Sequence, residues 1–130
     1  MNVLEGLNDS QIAATKVING PIMVIAGAGS GKTKVLTHRI AHLIENDIEP
    51  FNILSLTFTN KAAQEMKERI SLMVGEDKAR NIWMGTFHSV FAKILRVEHE
   101  KIGFPSNFTI YDTQDSKSLI KTIVKEKKLD

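Results

Sequence analysis

Ile22-Met23-Val24-Ile25-Ala26-Gly27-Ala28-Gly29-Ser30-Gly31-Lys32-Thr33 decides how the other residues of this 130-residue sequence are read. Residues 22–26 have the composition of a buried strand. The glycine-rich run after them is a turn, and a helix is expected from Lys32, with Leu36, Ile40, Leu43 and Ile44 recurring on one apolar face. That order is the layout of a phosphate-binding loop. Gly27, Gly29 and Gly31 leave room for backbone N–H groups to close around a polyphosphate, with Ala26, Ala28 and Ser30 completing the loop. Lys32 would reach the β- and γ-phosphates as a point charge. The Thr33 hydroxyl would hold the Mg²⁺ that bridges them, and the helix start would add its dipole. A strict G-x-x-x-x-G-K-[ST] motif has glycine where this chain has Ala26, so a chance glycine-rich strand-to-helix connection stays open as the plainer reading.

Bulk composition narrows the class. Apolar residues make up 42% and charged residues 25% of the chain, values of a soluble globular protein of one domain or less. The longest apolar run, residues 21–28, is far too short to span a bilayer, and the amino terminus has neither the basic start nor the apolar core of a signal peptide. The absence of cysteine excludes disulfides and cysteine-ligated zinc, which fits the cytoplasm. His38 and His42 lie four apart on the expected helix with no third metal ligand near them, so they read as solvated helix-face residues. The net charge of +2 names no partner. Lys117, Lys121, Lys125, Lys127 and Lys128 make the last stretch basic, which a solvated helix face explains as well as nucleic acid does.

Along the chain, Asn8 is a plausible N-cap for a short helix with Ile12, Ala13, Val17 and Ile18 as its apolar stripe. Gln11, three residues on, fits a capping box. Residues 53–58 form a second apolar run, giving a strand-helix-strand unit with residues 22–26. Such a unit implies a parallel sheet with the loop at the strands' carboxyl ends, where ligands usually bind. Thr59 and Asn60 can cap a helix starting near Lys61, buried along Ala63, Met66, Ile70 and Met73. Gly75 and the polar residues to Asn81 read as a connection, and residues 82–84 as a third strand. A helix follows with Val90, Phe91, Ile94 and Leu95 on its apolar side. Residues 108–111 are a possible fourth strand and residues 116–128 a final amphipathic helix. Asp112 superficially resembles a strand-end Mg²⁺ ligand, but Thr113 follows it instead of an acid that could act as a general base. Phe58 and Phe87 each close a strand, where an aromatic is more often core than a base-stacking platform.

Leu7-Asn8-x-x-Gln11, the loop of residues 26–33, Thr57-Phe58-Thr59-Asn60-Lys61-Ala62-Ala63-x-Glu65-Met66-Lys67-Glu68-Arg69 and Gly85-Thr86-Phe87-His88-Ser89, in that order, resemble the superfamily 1A DNA helicases of the UvrD/Rep/PcrA type. The ending, residues 108–130, looks most like the PcrA branch. A phosphate loop is shared by many NTPases, whereas the T-F-T-N-K-A-A block is highly specific. The resemblance implies a P-loop NTPase (RecA-like) α/β fold of three αβα layers around a parallel sheet. Residues 1–106 would be the first part of domain 1A, and residues 107–130 the start of the helical subdomain 1B. It implies that Gln11 contacts adenine and that alanine is ordinary at Ala26. It also implies that Thr57, Phe58, Thr59 and Asn60, with Thr86, Phe87 and His88, line a path for single-stranded DNA. Sequence-independent binding agrees with residue type, because hydroxyl and backbone donors suit phosphates and an aromatic face stacks on any base.

The family's paired Walker B acids, its γ-phosphate arginines and its second RecA-like domain find no match here. The implied protein is therefore the amino-terminal piece of an ATP- and Mg²⁺-dependent 3′–5′ translocase acting at single-stranded and duplex-junction DNA, inactive without the remainder of its chain. The basic ending without a terminating Gly or Asn fits a truncation. Two other classes stay open, a small P-loop kinase and a non-catalytic module derived from a helicase. The first lacks the arginine-rich lid such kinases carry, and the second requires the natural gene to end near Asp130.

Overall fold

The apolar stripe of α2 (Lys32–Glu45) organises the core. In the computed structural model, which describes residues 2–128, Val35, Ile40, Ala41 and Ile44 on this helix are buried, and Leu36 is left exposed. Ile40 and Ile44 pack with Ile53, with Met66 and Ile70 of α3 (Asn60–Val74), with Ala79 of α4 (Glu76–Arg80) and with Ile82. Each such aliphatic side chain withdrawn from water contributes about 1.5–3 kcal/mol. Two parallel strands complete this α/β unit. β1 (Leu54–Thr57) pairs with β2 (Trp83–Thr86) so that Leu54 lies opposite Trp83 and Thr57 opposite Thr86.

Helix ends follow local chemistry. α1 (Asp9–Lys16) opens on a capping box between Asn8 and Gln11, and α3 opens on the Thr59 hydroxyl, which accepts from the Ala62 amide at 3.1 Å. β2 leads directly into α5 (Phe87–Val97).

The strand order departs from expectation. Residues 22–26 form no strand: they have no ladder partner among the described residues, and Met23 and Ile25 stand 83% and 91% exposed. The parallel crossover is therefore β1-α3-α4-β2, and not a link between residues 22–26 and 53–58. The runs expected as second and third strands form Leu54–Thr57, one residue shorter at each end, and Trp83–Thr86, which starts one residue later and runs two further. The connection after Gly75 contains α4, a five-residue helix that the polar composition hid because Ala79 is its one buried residue. α1 buries Thr15 instead of the expected stripe, since Val17 and Ile18 lie beyond its end. On α3, Met66 and Ile70 are buried while Ala63 and Met73 are half-buried.

The chain divides into two compact units, Met1–Ala92 and Lys93–Asp130, the division falling within α5. In the second unit, Arg96 lies over the Phe108 ring at 4.9 Å, and Phe104 meets Phe108 edge to face. Residues 108–111 form no strand. α6 runs Thr113–Glu126, earlier than expected, because Asp112 is its N-cap in a capping box with Asp115. That role accounts for the acid that resembled a metal ligand. The expected residues 129 and 130 of the final segment lie outside the described residues.

Candidate functional site

The loop between residues 26 and 33 closes on itself before it meets any other element. Ser30 donates from its amide to the Gly27 carbonyl at 3.3 Å and from its hydroxyl to the same oxygen at 2.5 Å. Gly31 is the N-cap of α2 at φ 82°, a conformation suited to glycine, and a Cβ there would come 2.7 Å from Gln11 Nε2. No side chain caps this end of α2 among the described residues, so the amides of its first turn are available to an anion. Lys32 is exposed and folds back across the loop, its Nζ donating to the Ala26 and Gly27 carbonyls at 3.1 and 2.9 Å. Thr33 is exposed on the same turn. An ammonium, a hydroxyl and uncapped amides at one helix start suit a polyphosphate with its divalent cation.

Gln11 is brought to this loop from α1. Its Oε1 accepts the Asn8 amide at 3.0 Å, its own amide donates to Asn8 Oδ1 at 2.9 Å, and its Nε2 donates to the Ser30 carbonyl at 3.1 Å. The capping box is thus present, and the same side chain also links α1 to the loop. A cavity of about 350 Å³ lies beside this link, lined by Asn8, Gln11, Ala14, Ile25, Gly27 and Lys32 among others. A larger cavity, about 450 Å³, lies along α3 and α4 among Lys67, Glu68, Glu76 and Arg80, and holds none of the loop's donors.

Sequence reasoning missed the residues that hold α1 and the segment before it in place. Lys34 donates to the Gly6 carbonyl at 2.5 Å, His38 Nδ1 bonds the Val3 carbonyl at 2.5 Å, and Arg39 Nη1 donates to the Ala14 carbonyl at 3.1 Å and also to that of Val17. His38 and His42 are half-buried, and His38 is committed to this contact, so the solvated helix-face reading is corrected. The available signal was three cationic or imidazole side chains on a helix otherwise read only for its apolar stripe.

The turns after β1 and β2 lie side by side because Thr57 and Thr86 are opposite in register. Both hydroxyls turn inward. Thr57 Oγ1 donates to the Thr59 carbonyl at 3.1 Å, and Thr86 Oγ1 accepts the Ser89 amide at 3.2 Å, which makes Thr86, and not His88, the side chain that caps α5. α5 approaches Gly85 closely, since a Cβ there would come 2.7 Å from Ser89 Oγ and 3.1 Å from Val90 Cγ2. Phe58, Asn60, Phe87 and His88 remain exposed, with Thr59 spent on its cap. Phe58 is 92% exposed and its ring centroid lies 5.5 Å from that of Phe87, so neither aromatic belongs to the core cluster.

The family described as UvrD/REP helicase N-terminal domain matches residues 7–130, from the segment before α1 through both turns. The chain belongs to that family. This UvrD/REP domain is similar to the ATP-dependent DNA helicase PcrA of Staphylococcus aureus, 53% identical over 129 residues that cover 98% of this chain and 18% of the relative. The PcrA helicase of Staphylococcus epidermidis is 52% identical over 132 residues, covering 100% of this chain and again 18% of the relative. The UvrD/REP match does not favour the small-kinase alternative. Among the described residues, no helix is long and apolar enough to cross a membrane.

Proposed function

We propose that this chain is the front part of the ATP site of a DNA helicase that moves 3′ to 5′ on single-stranded DNA in the cytoplasm and opens duplex at junctions. The observation that carries the reading is the joint placement of Lys32, the uncapped start of α2 and Gln11 around one loop. Membership of the UvrD/REP family and the likeness to relatives named as ATP-dependent DNA helicases support it. The chain spans 18% of those relatives' length. In this reading residues 1–106 are the first part of a three-layer RecA-like domain and residues 107–130 the start of a helical subdomain.

In this reading, Ala26, Gly27, Ala28, Gly29, Ser30 and Gly31 wrap the polyphosphate, and Lys32 exchanges its two loop carbonyls for phosphate oxygens. The Thr33 hydroxyl would hold Mg²⁺, which would supply charge neutralisation at the phosphates. Gln11 reads the adenine edge. Phe58 and Phe87 offer ring faces to bases, while the neighbouring Thr57, Thr59, Asn60, Thr86 and His88 turns shape the strand's path. The Phe58 and His88 turns couple nucleotide state to the grip on DNA. The isolated chain binds nucleotide weakly and does not turn it over, because the water-activating acid and the second domain's arginines are supplied elsewhere in the full-length helicase.

Lys32→Ala in the full-length helicase tests this directly. DNA-stimulated ATP hydrolysis should fall by roughly a hundredfold or more. Unchanged turnover in that variant would remove Lys32 from the site. Robust Mg-ATP hydrolysis by the 130-residue chain alone would overturn the division of the site between segments.

A further inference from the structure

α1 is too short to be held by its own hydrogen bonds. It has eight residues, buries only Thr15, and is well below the length at which an isolated helix is stable in water. Its position therefore depends on what grips its ends. At the amino end, the capping box leaves Gln11 Nε2 free to reach the Ser30 carbonyl. The carboxyl end leaves its last carbonyls without partners inside the helix. Arg39 supplies them, with Nη1 donating to Ala14 at 3.1 Å and to the C-cap residue Val17. A guanidinium at this end also meets the negative pole of the helix.

Both anchors belong to one continuous segment. Ser30 is in the phosphate loop, and Arg39 lies two turns along the helix that the loop starts. The distance from the Gln11 amide to the loop is thus set by a frame whose far corner is Arg39. Lys34 and His38 fasten the segment before α1 to the same helix. Arg39 itself makes no hydrogen bond to the loop or to Lys32 among the described residues.

We propose that Arg39 is a positioning residue for recognition of the nucleotide base. It fixes the carboxyl end of α1 so that Gln11, at the other end, holds its amide at the loop. This inference rests on the reading of Gln11 as the base-contacting residue. Losing Arg39 lets α1 fray and swing from its carboxyl end, and the Gln11 amide loses the alignment that a hydrogen bond demands. The phosphate grip, which depends on the loop and Lys32, is left intact.

The test compares Mg-ATP with Mg-tripolyphosphate, which has the phosphates and no base, in equilibrium binding to the full-length helicase. Arg39→Ala should weaken ATP by about tenfold and leave tripolyphosphate unchanged. Gln11→Ala should give the same pattern, and the double variant should be no weaker than the single ones, because the two residues act on one contact. Arg39→Lys keeps the charge and N–H donors and should restore most of the ATP affinity. Equal loss of both ligands in Arg39→Ala, or additive losses in the double variant, would overturn the positioning role. So would normal ATP binding by Arg39→Ala beside weakened Gln11→Ala. Gln11→Ala with unchanged ATP binding would instead overturn the base-reading assignment, and unchanged tripolyphosphate binding in Lys32→Ala would overturn the phosphate site itself.

Discussion

Gln11 carries two local duties at once, and its amide geometry explains how. The carbonyl oxygen caps the start of its own helix while the NH₂ group reaches a carbonyl 19 residues away in the loop. Capping and loop contact are thus compatible readings of one side chain. Four residues along, Thr15 presents the opposite case. It is fully buried, and its hydroxyl has no hydrogen-bond partner among the described residues. An unpartnered buried hydroxyl costs folding free energy that an isosteric methyl group does not. Thr15→Val should therefore raise stability by about 1 kcal/mol in denaturant unfolding. A clear loss of stability would instead reveal a bridging water at that site.

The two strand-to-helix turns are the elements where sequence pattern and exposure have to be read together. Parallel pairing of β1 and β2 puts their carboxyl ends in register, so the turns that follow are neighbours although they lie nearly thirty residues apart. The hydroxyls of Thr57, Thr59 and Thr86 are spent on internal caps and ties, which stiffens both turns and leaves the aromatics as their exposed features. On the proposed function, Phe58→Ala should weaken single-stranded DNA binding of the full-length protein by about 1–3 kcal/mol, with a small effect on unfolding, because its ring is not part of the core. Unchanged DNA affinity with a lowered melting temperature would return Phe58 to a packing role. Asn8 and Thr59 were legible as caps because a cap acts within three residues of itself. Asp112 was not, since an acid after an apolar run has the same appearance whether it caps a helix or ends a strand.

At the scale of the molecule, the cluster made by α2, α3, α4 and the residues leading into β1 and β2 supports the turns and the carboxyl part of the loop helix together. Ile70 is completely buried at its centre. Ile70→Ala should cost about 2–5 kcal/mol in reversible unfolding, enough to threaten a domain of this size. A loss under about 1 kcal/mol would mean that the neighbours collapse into the space. Residues 22–26 contribute little to this cluster, with Met23 and Ile25 turned to solvent. A strand needs a ladder as well as an apolar composition, and none of the described residues supplies one there.

By itself the sequence determined the start of α2 at Lys32, the caps of α1 and α3, and the residues that mark the family. All of these are set by side-chain type and by spacings of a few residues. The tertiary structure alone decided that β1 pairs with β2, that residues 22–26 stand outside the sheet, and that Arg39 serves carbonyls 25 and 22 residues away. Periodicity and capping are short-range and leave a pattern in the residues themselves. Ladder partners and the carbonyl acceptors of a distant arginine are backbone groups common to every sequence, and only folding selects among them.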